Sequence, residues 1–149
     1  MKEYIGIDPG KNGALAIITY WGNGQVDYTI QPFDATEYVK LLRNHAVNVT
    51  VCVEKVGAMP GQGVVSMFNF GHNLGFIEGV LQAVSIPYQL VPPQTWKKEF
   101  SLNSDKAKSI EVCQKLFPNV SLLATERSRK PHDGMAEALL MAEYARRKL

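Results

Sequence analysis

The chain has 149 residues, enough for one domain with a real hydrophobic core and no need of disulfide or metal staples. Apolar residues make up 46% and charged residues 20%, an ordinary globular composition that excludes a disordered chain. The formal charge is only +2, but basic residues gather toward the C-terminal third: Lys97, Lys98, Lys106, Lys108, Arg127, Arg129, Lys130, then Arg146 to Lys148. Clusters of that kind suit a phosphate backbone, as well as a merely solvated face.

The two cysteines, Cys52 and Cys113, each sit in an apolar run. Buried, reduced thiols and a cytoplasmic setting are expected; with no CxxC pair, neither a disulfide scaffold nor a structural zinc site is. MKEYIGIDPG enters a strand directly, which reads as the absence of a signal peptide, and no window approaches the ~20 apolar residues of a membrane span.

In chain order, YIGI (4–7) reads as a short buried strand stopped by Asp8-Pro9-Gly10. After the turn Lys11-Asn12-Gly13, ALAIITYW is apolar and β-branched at its centre, a second and central strand. Asn23-Gly24 signals a hairpin leading to QVDYTIQPF, so the opening is a three-stranded antiparallel meander. Asp34 or Thr36 caps a helix to about Asn44, and VTVCVEKV (49–56) alternates as a fourth strand. The glycine-rich loop GAMPGQG (57–63) is too irregular for a P-loop.

A long helix is expected over 65–83. Gly71, Gly75 and Gly79 recur on it every four residues, which costs helix propensity but permits close approach of another element. IPYQLVPP (86–93) reads as a fifth strand ended by its prolines. Ser104 or Asp105 caps a helix ending near Phe117, and Pro131-His132-Asp133 opens a last helix to about Lys148. The order is an α/β layering around a mixed sheet.

Asp8 follows a hydrophobic strand directly, where it either forms a turn or presents a carboxylate at the strand end. Glu54 ends the fourth strand in the same way. A glutamate in so apolar a run costs several kcal/mol if buried unpaired, unless its pKa shifts or a cation compensates. If the two strands are neighbours, the carboxylates face each other, and a metal ion holds them together. Asp133, in the first turn of the last helix, is either an N-cap or a third acid, with Glu137 one turn on upon the same face. His132 is a proton carrier, a phosphate ligand or only a cap. Such an oxygen-rich set suits Mg²⁺ or Mn²⁺ better than zinc, and a pair of those ions can drive phosphodiester hydrolysis.

The segments IGIDPGKNGALAII, VCVEKVG and KPHDGMAEALLMAEYARR, in this order, resemble the RuvC family of Holliday junction resolvases, especially its bacteriophage members. VPPQTWKKEF and DKAKSIEVCQKLFP extend the resemblance over nearly the whole chain. It implies a ribonuclease-H-like fold with a mixed five-stranded sheet flanked by helices, a homodimer, two Mg²⁺ or Mn²⁺ ions per site, and paired nicks across a four-way DNA junction. By position it implies Asp8, Glu54, Asp133 and Glu137 as metal ligands, and these four together with His132 as the catalytic residues. The family's last helix usually carries two aspartates three apart, whereas Asp133 and Glu137 are four apart, which leaves the role of Glu137 open.

For DNA contact the expected residues are Lys11, Lys97, Lys98, Lys106, Arg127, Arg129 and Lys130, with the 57–63 loop and the Trp96–Lys98 segment flanking the acids. Two readings compete, an RNA–DNA hybrid nuclease of the same fold and a junction-binding module without activity. The actin-like ATPases share the opening motif but need two such domains, so length sets them aside. The long helix is apolar over more than one face (Met67, Phe68, Phe70, Leu74, Phe76, Ile77 and Leu81), and the surplus either forms a twofold dimer interface or packs under the C-terminal helices.

Overall fold

The computed structural model describes residues 1–149. Three strands, β1 (Lys2–Ile7), β2 (Ala14–Tyr20) and β3 (Val26–Pro32), form the antiparallel meander. Helix α1 (Ala35–Arg43) leads to β4 (Val49–Glu54), and α2 (Val64–Ala83) leads to the short β5 (Gln89–Val91). The helices α3 (Pro93–Glu99), α4 (Lys106–Leu116) and α5 (Asp133–Lys148) complete the chain. The sheet order is β3-β2-β1-β4-β5, with β1 parallel to β4 and β4 parallel to β5. This is the mixed five-stranded, helix-flanked sheet of the ribonuclease-H-like topology.

Two cores lie on the two faces of the sheet. Alternation along β1 sends Ile5 and Ile7 to the face covered by α1 and α2, where they meet Val51, Val53, Tyr38, Leu42, Ile77 and Leu81. Along β4, Cys52 belongs to the opposite core, with Trp96 and the apolar residues of α5. Helix α5 lies hard against β1 because residue 6 is glycine: a Cβ there would run into Ala138 O and Ala142 N. Both cysteines are free and buried, and burial pushes both thiols up to about 12.

Local capping accounts for most helix starts. Asp34 accepts from Glu37 N at 3.0 Å, and Asp105 accepts from Ala107 N at 3.0 Å, so each resolves a pair of candidate caps. The fifth strand is shorter than 86–93: only Gln89–Val91 pairs with β4. Pro93 starts a helix instead of ending a strand, occupying the first-turn position where its missing N–H costs nothing. That seven-residue helix is too short to show a period.

The glycines of α2 do not meet another element of the chain, since nothing lies within 4 Å of a Cβ built at Gly71, Gly75 or Gly79. Only Ile77 and Leu81 of this helix are buried, and Val64, Val65 and Phe68 are exposed, so the C-terminal helices do not cover its surplus apolar face. No helix is long and apolar enough to cross a membrane.

Candidate active site

The parallel register pairs Ile7 with Val53, so the next residues, Asp8 and Glu54, leave adjacent strands at the same sheet end. Both share the parity of Gly6 and Cys52, which turns them toward the face covered by α5. The N-terminus of α5 comes up against the β1–β2 turn, where Gly134 permits contact because a Cβ there would strike Asn12 O. Asp133 and Glu137 are thereby carried to the two strand-end acids. Asp8, Glu54, Asp133 and Glu137 line one cavity of about 680 Å³. Lys11, Lys97 and Lys106 line it too, with Asn12, Ser66 and Asn69.

His132, rather than Asp133, caps α5: its Nδ1 accepts from Met135 N at 3.0 Å. Asp133 is thus left for Lys106, whose Nζ lies 3.1 Å from Oδ2. The same ammonium is 3.8 Å from Glu137 Oε2, and Lys97 Nζ is 3.9 Å from Glu137 Oε1. His132 does not line the cavity. Glu54 Oε2 accepts from the indole Nε1 of Trp96 at 2.8 Å, and Asp8 Oδ1 accepts from Gly10 N at 3.1 Å.

The acids titrate abnormally for physical reasons. Burial first, then the charge of Asp8, pushes Glu54 up to about 7 against the Trp96 hydrogen bond. Burial also raises Asp8, opposed by the Gly10 N–H and by Lys106, and it raises Glu137 against Lys106. For Asp133 burial acts upward too, but the hydrogen bond and charge of Lys106 outweigh it and the carboxyl is held low. Lys106 is itself raised: burial lowers it, but Glu137, Asp133 and Asp8 together prevail.

A cavity of four acids that repel one another is a place where a cation is wanted. Lys106 supplies part of that charge. Glu137 Oε1 is buried without a hydrogen-bond partner, an orphaned acceptor of the kind a hard cation satisfies. The donor set therefore fits Mg²⁺ or Mn²⁺ chemically. No three His, Cys, Asp or Glu side chains are drawn together closely enough to form a finished metal cage.

Of the expected DNA-contacting residues, Lys11, Lys97 and Lys106 stand at the acids. Lys98 lines an adjoining groove of about 650 Å³ with Gln94, Ser101, Asn103 and Ser104, and this groove shares Pro93 and Lys97 with the acidic cavity. Arg127, Arg129 and Lys130 are exposed in the segment leading into α5, outside the cavity lining. Trp96 is fully buried, so it offers no surface to a ligand. Its bond to Glu54 escaped the sequence reading because the two residues are 42 positions apart and nothing local links them.

No protein-family model matches the sequence, and no curated protein does. Solved structures do. The chain is similar to RuvC of Thermus thermophilus in complex with a Holliday junction substrate, with a TM-score of 0.64, 15% identity, and coverage of 98% of this chain and 96% of that one. A second structure of Thermus thermophilus RuvC gives a TM-score of 0.61 at 17% identity, covering 97% and 96%. The Fowlpox virus resolvase, in complex with Holliday junction DNA, gives 0.58 at 18% identity, covering 96% and 98%. At such identities the likeness concerns the fold, and it extends over almost the whole of each chain.

Proposed function

We propose that this protein is a divalent-metal-dependent endonuclease that resolves four-way and related branched DNA junctions, working as a homodimer. The observation that carries the reading is the convergence of Asp8, Glu54, Asp133 and Glu137, from β1, β4 and α5, on one cavity that three lysines also line. The likeness in fold to resolvases captured with Holliday junctions supports DNA of that form as substrate.

In this reading Asp8, Glu54, Asp133 and Glu137 hold Mg²⁺ or Mn²⁺, as a pair of ions. Bound there, such ions would supply activation of a water and charge stabilisation for phosphodiester hydrolysis. The side chains fix the place of the reaction: Asp8, Glu54 and Asp133 sit at element ends with Glu137 one turn into α5, and Lys97 and Lys106 add positive charge where a phosphate must approach carboxylates. Lys11 at the cavity and Lys98 in the adjoining groove track the strand on either side, with Arg127, Arg129 and Lys130 attracting DNA from farther out. His132 orients the start of α5, and hence Asp133, through its cap.

The exposed apolar face of α2 supports the dimer: Val64, Val65 and Phe68 are uncovered, next to the open glycine row. A junction has approximate twofold symmetry, so a twofold pair of sites nicks opposing strands.

The test is Asp8→Asn. It should abolish Mg²⁺-dependent cleavage of a synthetic four-way junction while binding stays within about tenfold, because phosphate contacts supply most of the affinity. Cleavage at the normal rate removes Asp8 from the mechanism. An RNA–DNA hybrid cut in preference to the junction favours the hybrid nuclease, and tight junction binding by the unaltered protein without any cleavage favours the inactive module.

A further inference from the structure

The indole of Trp96 is fully buried, and a buried indole N–H must find an acceptor. It finds Glu54 Oε2 at 2.8 Å, and this is the hydrogen bond that the Glu54 carboxylate accepts. We propose that Trp96 is a positioning residue for the metal site: its N–H pins one oxygen of Glu54 so that the other is presented to the cavity. The proposal rests on the reading of Glu54 as a metal ligand.

A glutamate at a strand end has three side-chain torsions, and without a fixed partner its head group is free to turn. A tryptophan suits the task because it is a neutral donor. A lysine there would offer its own charge and compete with a divalent ion, as Lys106 does at Asp133. The indole fixes direction and leaves the carboxylate charge available.

The helix that delivers the indole is anchored at its far end. Phe100, its C-cap, lies under the Arg147 guanidinium at 5.1 Å, and Glu99 pairs with Arg147 at 3.3 Å and Lys148 at 3.5 Å. Lys97 Nζ lies 5.5 Å from the centre of the Trp96 ring and reaches Glu137 Oε1. Two successive residues of α3 thus engage two acids, one from β4 and one from α5.

Partners that orient a metal ligand change affinity by about 10–100-fold when removed. Trp96→Phe keeps the aromatic packing and deletes the N–H. Mn²⁺ titrated calorimetrically into the DNA-free protein should bind about 10–100-fold more weakly to this variant. In a Glu54→Gln background the same change should have no further effect, because the indole acts through Glu54. Unaltered Mn²⁺ affinity in Trp96→Phe, or losses that simply add in the double variant, overturns the proposal.

A measurement on the unaltered protein guards against a variant that fails to fold. The chain has two tryptophans, and Trp21 Nε1 donates to Asp27 at 2.6 Å, away from the site. With ¹⁵N-labelled indoles, Mg²⁺ should shift the Trp96 resonance and leave that of Trp21 in place. A Trp96 resonance that stays put while calorimetry shows metal binding overturns the positioning role alone. A flat calorimetric titration of the unaltered protein overturns the metal reading itself, and the positioning role with it.

Discussion

At the scale of residues, folding disfavours the charged form of three of the four acids, Asp8, Glu54 and Glu137. Glu54 has its folded pKa raised from 4.5 to about 7, so the native state resists its ionisation. The stability linked to this group is therefore full below about pH 4.5 and is lost as pH rises through about 7. A shift of that size corresponds to roughly 3 kcal/mol. Asp8 and Glu137 are raised too and act in the same direction, whereas Asp133 is lowered and contributes stability that disappears on acidification. In metal-free buffer the melting temperature should fall by several degrees between pH 5 and pH 8, and Glu54→Gln should reduce that fall. Added Mg²⁺ should stabilise the unaltered protein at pH 8 more than the variant. Thermal unfolding followed by circular dichroism checks each point; a variant no more stable than the parent at pH 8 without metal contradicts the repulsion assigned to this cavity.

Among the elements, the contact between β1 and α5 sets the geometry of the site. Gly6 allows the helix to lie on the strand, and Gly134 allows its first turn to meet the β1–β2 turn. Gly6→Ala places a methyl against the backbone of Ala138 and Ala142, which cannot yield as a flexible side chain does. The helix must move outward, taking Asp133 and Glu137 from Asp8 and Glu54. Overpacking of this kind costs about 1–3 kcal/mol, and a misplacement near 1 Å can cost about 100-fold in rate. We expect a folded but less stable variant whose cleavage falls at least about tenfold, with most of its junction affinity retained. Cleavage at the parental rate would show that α5 does not set the spacing of the acids.

Over the whole molecule, the open face of α2 allows stability and the proposed assembly to be tested apart. Gly75 is exposed, and no atom lies within 4 Å of a Cβ built there. In an isolated chain Gly75→Leu should be tolerated and should stabilise the helix by up to about 1 kcal/mol through propensity. Across a close twofold contact the same side chain has no room. Sedimentation equilibrium at micromolar concentration should find the parent as a dimer and Gly75→Leu as a folded monomer that no longer makes paired nicks. Phe68→Glu should act likewise, since Phe68 is 72% exposed and outside the core. A parent that sediments as one chain and still cuts both strands at equal rates excludes the dimer.

What the chain's own order of residues determined was local. Alternation and turn residues marked the three-stranded meander and β4, and the acids stood out because Asp8 directly follows one apolar strand and Glu54 ends another. The start of α5 was legible from Pro131-His132-Asp133, though not which residue capped it, because both side chains are able to accept the same N–H groups. The tertiary structure alone decided the rest. Parallel pairing of β1 with β4 made neighbours of two acids 46 positions apart. It also spent Lys97 and Lys106 on Glu137 and Asp133, and revealed α3, which two prolines had disguised as the end of a strand. The Trp96–Lys98 segment reads from sequence as flanking the acids, but only the packed structure buries Trp96 and turns its one donor to Glu54. Local patterns select strands and helices through short-range sterics and periodicity, whereas a buried charge finds its partner only when packing from distant segments removes water from both.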